Sequence, residues 1–81
     1  RSPVTTAGMM LIHQAPPTAK GVHFITLEDE FGFINLIVHP DSCTRFRRPL
    51  REALFLEVSG SLQRDGQVIS LLVSQVRRME M

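Results

Sequence analysis

The sequence contains no Trp and no Tyr, so any aromatic chemistry rests on five Phe residues. Cys43 is the only cysteine. That excludes a disulfide framework and a thiolate metal site, and it fits a reducing, cytoplasmic setting. An excess of charge of either sign is missing too. Nine Lys and Arg face eight Asp and Glu, for a formal net charge of +1. Such a balance excludes attachment to duplex DNA by bulk attraction alone. Nucleic acid would have to be held by local patches and stacking. No apolar run approaches the roughly 18 residues that span a bilayer, and no stretch has the layout of a signal peptide. No membrane role is expected.

Catalytic signatures are equally scarce. The chain has neither a G-x-x-x-x-G-K-[ST] phosphate loop nor a G-x-S-x-G nucleophile elbow. His13, His23 and His39 lack the spacing of metal ligands and have no Cys partners. The acidic run Glu28-Asp29-Glu30 reads as turn chemistry rather than as an acid–base or metal site. The expectation is a chain with no active site, no metal and no cofactor.

What is present is a set of strand-length apolar segments in a chain of 81 residues, which is room for one domain. A hydrophobic content of 43% with 21% charged residues argues against disorder. Strands are expected over residues 6–14, 22–28, 33–39, 54–62 and 67–76. The break after the first, Ala15-Pro16-Pro17-Thr18-Ala19-Lys20-Gly21, is a loop. Asp29-Glu30-Phe31-Gly32 and Arg64-Asp65-Gly66 read as tight turns, each with Gly where a positive φ is needed. Pro40-Asp41-Ser42 can start a short helix capped by Asp41 or Ser42, with Cys43 and Phe46 on one face and Pro49 limiting its length. In the fourth strand Leu54, Leu56 and Val58 fall on one side. In the fifth, Ile69, Leu71 and Val73 do.

The order β-β-β-α-β-β is that of the OB-fold, an all-β five-stranded Greek-key barrel with one short helix between strands 3 and 4. An SH3-like barrel normally lacks that helix. Residues 1–5 read as a linker tail, 6–78 as the domain and 79–81 as a C-terminal tail. The chain opens on Arg-Ser-Pro, and the expectation is a domain cut from a longer protein.

Side chains alternate along a strand, so the central hairpin has two unlike faces. Ile25, Leu27, Ile34, Leu36 and Val38 make an aliphatic face for the core. Phe24, Thr26, Phe33, Asn35 and Ile37 make a mixed face suited to base stacking and hydrogen bonding. The two rings would equally suit packing under a loop or at the barrel end. Lys20 and Arg64 lie in the loops that flank an OB groove, where either could hold a phosphate. Arg45, Arg47, Arg48 and Arg51 form the densest basic run. It reads as a solvated helix face, a phosphate track or a contact with another domain.

The stretch from Thr18-Ala19-Lys20-Gly21-Val22-His23-Phe24-Ile25-Thr26-Leu27 to Phe33-Ile34-Asn35-Leu36-Ile37-Val38 resembles the OB domain near the C-terminus of bacterial C-family DNA polymerases, the DNA polymerase III alpha subunit type. Arg45-Phe46-Arg47-Arg48 and Leu54-Phe55-Leu56-Glu57-Val58-Ser59-Gly60-Ser61-Leu62-Gln63-Arg64-Asp65-Gly66 continue the likeness. It covers roughly residues 8–76, and the Thr18-Ala19-Lys20-Gly21 opening and the Leu62-Gln63-Arg64-Asp65-Gly66 close look most like the error-prone branch. The resemblance implies a non-catalytic module that meets single-stranded template during DNA synthesis or damage-tolerant replication. It also implies a parent polymerase with sliding-clamp and accessory mutagenesis partners. A broader likeness to the anticodon-binding OB domains of class II aminoacyl-tRNA synthetases implies contacts from Phe24, Asn35 and Ile37, although Ile37 stands where an aromatic often stacks. Two alternatives remain open at this level: a domain that docks the polymerase or an accessory factor, and an RNA- or tRNA-binding domain.

Overall fold

The computed structural model describes residues 3–79. Five strands, β1 (Val4–Gln14), β2 (His23–Asp29), β3 (Gly32–Val38), β4 (Phe55–Asp65) and β5 (Val68–Met79), close a barrel in the order β1-β2-β3-β5-β4. Every neighbouring pair is antiparallel except β3 with β5. This is the expected OB-type Greek key, and closure removes the exposed sheet edge that a chain this small could hardly cover.

β1 starts at Val4, earlier than expected, because Val4 and Thr5 pair with Gly60 and Ser59. Those two residues of the expected linker therefore belong to the barrel. Met79 likewise pairs with Phe55 rather than trailing as a tail. Arg1, Ser2, Glu80 and Met81 lie outside the described residues.

The β2–β3 hairpin follows its turn. Asp29 pairs with Gly32 across a two-residue loop, Gly32 sits at φ 137°, and the Phe31 amide donates to Asp29 Oδ1 at 2.7 Å. The acidic run is thus partly explained by an Asx turn. This register puts Ile25, Leu27, Leu36 and Val38 in the core at no more than 2% exposure, with Ile34 packed against them.

The β4–β5 ladder departs from simple alternation. Its register steps from Gly60↔Val73 to Ser59↔Gln75, which leaves Ser74 as a bulge. Beyond it the inward face changes parity, so Val76 rather than Gln75 is buried. Gly60 makes this possible, since a Cβ there would lie within 2.7 Å of the Leu72 carbonyl carbon. Leu56, Val58, Leu71 and Val73 are buried as expected, but Leu54 and Ile69 are 58% and 54% exposed. Leu54 precedes β4, and Ile69 lies on the part of the hairpin that projects past the barrel.

In place of one helix there are two, α1 (Pro40–Arg45) and α2 (Arg47–Glu52), joined at Phe46 with φ −110° and ψ 33°. Pro49 causes the break. It has no N–H to give the carbonyl four residues earlier, yet in the first turn of α2 that N–H has no intrahelical partner anyway. Pro40 fills the first position of α1, which moves the cap back to His39 instead of Asp41 or Ser42. Leu50 and Ala53 are buried in the core cluster, with Cys43 and Phe46 packed against it. The helices therefore stopper one end of the barrel.

Candidate nucleic-acid interface

On the outer face of the hairpin, Phe24 stands opposite Ile37 and Thr26 opposite Asn35. The pairing continues sideways onto β1 and β5. One row runs Gln14, Phe24, Ile37, Leu72, and the next runs Ile12, Thr26, Asn35, Ser70. These rows floor a cavity of about 410 Å³ lined by Ile12, Gln14, Phe24, Thr26, Asn35, Ile37, Val68 and Ser70. A second cavity of about 660 Å³ shares Ile37, Val68 and Ser70 with it and runs under the β4–β5 hairpin, past Ser61, Gln63, Arg64 and Asp65. Together they make one cleft, with an apolar ring, a β-branched side chain, an amide and hydroxyls on its floor and a guanidinium at its rim. Phe24 is 39% exposed, so its ring has a free surface for stacking.

Arg64 is already oriented, because its Nε donates to the Gly66 carbonyl at 3.0 Å. Gly66 opens the turn at φ 66°, which is the left-handed backbone that favours Gly there.

The structure thus brings together Phe24, Thr26, Asn35, Ile37 and Arg64. It does not bring in Phe33. That residue stands opposite Glu28, is 68% exposed, and lines neither cavity of the cleft but a neighbouring apolar one with Val4, Ile34 and Ile69, which meets the hairpin cavity at Leu62 and Ser70. Lys20 is exposed in a left-handed conformation after the 3-10 turn Pro17–Ala19, and it lines neither cavity of the cleft. The Arg run does not form one track. Arg45 lines a cavity with His39 and Ser42, Arg48 lines another with Arg77 and Arg78, and Arg47 and Arg51 lie exposed on α2.

Sequence reasoning missed Ile12, Gln14, Val68 and Ser70. For the first two the reason is a bulge in β1, where the register steps from Met10↔Leu27 to Ile12↔Thr26 past Leu11. It keeps Met10 against the core and turns Ile12 and Gln14 onto the cleft face. The same parity change points His13 the other way. Its Nε2 lies 2.7 Å from His23 Nδ1. Burial, then the neighbouring His23, hold the His13 imidazole below its ordinary pKa, against a hydrogen bond to the Leu50 carbonyl. Burial pushes the Cys43 thiol up, and its Sγ lies 3.4 Å from the Val38 carbonyl. No helix among the described residues is long and apolar enough to cross a membrane.

Comparisons with known proteins bear on the family and the fold. A family model described as an OB-fold nucleic acid binding domain matches residues 4–79. The error-prone DNA polymerase of Anaeromyxobacter dehalogenans is 45% identical over 76 residues, which is 94% of this chain and 7% of that protein. The chain therefore spans a small fraction of the length of the curated relatives it matches. Among solved structures, a small single-stranded DNA binding protein from Mycoplasma pneumoniae superposes with a TM-score of 0.78 at 8% identity, covering 94% of this chain and 91% of that one. Asparaginyl-tRNA synthetase from Pyrococcus horikoshii superposes with a TM-score of 0.76 at 14% identity, covering 94% and 19%. At such identities these two superpositions speak for the fold alone.

Proposed function

We propose that this chain, which belongs to the OB-fold nucleic acid binding domain family, holds single-stranded DNA in its cleft as a non-catalytic module of a longer error-prone DNA polymerase. The observation that carries this reading is the cleft floor, where Phe24, Thr26, Asn35 and Ile37 form two directly opposed pairs continued by Gln14, Ile12 and Ser70. A ring that stacks any base, beside amides and hydroxyls that bond whichever edge is offered, suits a sequence-tolerant single-strand binder. The 45% identity to a polymerase segment supports the parent. In that setting the module meets template during damage-tolerant synthesis in the cytoplasm, and clamp and accessory mutagenesis proteins are partners of the parent chain.

An NMR titration with a short single-stranded DNA tests it. Amide shifts should concentrate on Gln14, Phe24, Thr26, Asn35, Ile37 and Arg64. A titration at low salt that moves none of them refutes the proposal, and tighter binding of an RNA oligomer of equal length transfers the cleft to RNA.

A further inference from the structure

We infer that Arg45 and the serines around it form a phosphate subsite that prolongs the cleft beyond the β4–β5 hairpin. This rests on the single-strand reading of the cleft. A third cavity, about 340 Å³, is lined by Arg45, His39, Ser42, Ser61 and Ser74 among others. Ser61 also lines the cavity beneath the hairpin, so the three hollows run on from Phe24 through Ile37 to Arg45.

The chemistry changes along that path. The Phe24 end offers a ring and an amide, which suit a base. The Arg45 end offers a guanidinium, an imidazole and small hydroxyls, which suit the backbone of a strand leaving the cleft. Of these groups Ser74 is engaged, its hydroxyl donating to the Ser59 carbonyl at 3.2 Å, whereas Arg45, Ser42 and Ser61 are available. Among the described residues Arg45 has no carboxylate within ion-pair distance, the ion pair there being Arg77 with Glu57 at 3.0 Å. Its guanidinium carbon lies 6.0 Å from the Phe46 ring centroid, a contact that restrains it. The Ser42 hydroxyl reaches the Val73 carbonyl only at 3.5 Å, and Ser61 has no side-chain hydrogen bond among the described residues. Either can turn to an incoming oxygen. The break at Phe46 separates Arg45 from its neighbours in sequence, which explains why only this member of the run joins the groove.

Fluorescence anisotropy with labelled oligothymidylates of about four and about ten nucleotides, within the range of OB-fold site sizes, tests the assignment. Arg45→Glu should weaken the longer oligomer about fivefold at low salt and reduce its salt slope by about 0.7, the value for one phosphate on a single strand. The shorter oligomer should be held within about twofold of wild type, and Arg51→Glu should leave both within that margin. Equal losses for Arg51→Glu, or for the short oligomer, would mean a diffuse field and overturn the subsite. On the unaltered protein, the longer oligomer alone should shift the amides of Arg45, Ser61 and Ser74. Binding that responds to Phe24→Ala but leaves those amides still removes the subsite and spares the cleft; binding of neither oligomer removes both.

Discussion

Replacing Phe24 with Ala separates a stacking ring from a packing ring. At 39% exposure, roughly three-fifths of a side chain that buries about 200 Å² is already withdrawn from water. At about 25 cal/mol per Å² the truncation costs the fold up to ~3 kcal/mol, less once denatured-state compaction is allowed for. Affinity must therefore be measured below the melting transition of the variant. A stacked base is worth about 1–3 kcal/mol, which is roughly 5- to 150-fold in Kd. Ile37 opposite provides no second ring, so the lower end, about five- to tenfold, is expected. Stacking is weakly screened, whereas contacts from Arg64 and Arg45 fade with salt. The Phe24→Ala loss, read by anisotropy on a short oligomer, should thus persist from about 50 to 300 mM salt. Phe24→Leu keeps most of the packing with Gln14 and Ile37 but removes the π face, and it should lose nearly as much affinity at far smaller cost in stability. Unchanged affinity in Phe24→Leu would refute stacking and leave the ring as a packing residue.

Two further outcomes test the fold itself. Gly60→Ala drives a Cβ into the Leu72 carbonyl at the bulge and should cost roughly 2–3 kcal/mol in urea unfolding; a loss below about 0.5 kcal/mol would mean that the bulge does not depend on this approach. Because His13 titrates below its ordinary 6.5 in the folded chain, the unfolded chain binds more protons as pH falls through that value, so acidification is destabilising. His13→Gln should flatten the fall in melting temperature between about pH 7 and pH 5, and a slope equal to wild type would show that the lowered titration of His13 contributes nothing.

Legibility in the sequence followed the length of the interactions that set each register. The β2–β3 hairpin is fixed by its own two-residue turn, so the division of Ile25, Leu27, Leu36 and Val38 from Phe24, Thr26, Asn35 and Ile37 can be read by counting in twos. Phe33 obeys the same count, yet it lies past the cleft because the β3–β5 pairing runs only from Asn35 to Ile37. Val76 was illegible for another reason. Its burial depends on Gly60 approaching Leu72 across two strands, and nothing local in β5 announces a bulge at Ser74. Pro49 was expected to limit one helix, but the break falls three residues earlier at Phe46 and Pro49 sits in the first turn of α2, where its missing N–H is tolerated.

The bulge at Leu11 joins the question of fold to that of function. Without it, Met10, Ile12 and Gln14 would share one face, and either the core would lose Met10 or the cleft would lose Ile12 and Gln14. One extra residue lets β1 serve β4 with its first half and the rows of the cleft floor with its second. Cleft and core are therefore specified together, and a deletion at Leu11 should damage both. The cleft so built has one aromatic ring, and the chain carries a formal net charge of only +1, so on the proposed reading modest, base-tolerant affinity is expected rather than tight capture. If the proposed polymerase setting holds, modest affinity suffices, because a tether of short flexible chain would supply an effective concentration in the millimolar range. On that reading, weak contacts that release as readily as they form would let a strand advance through the groove.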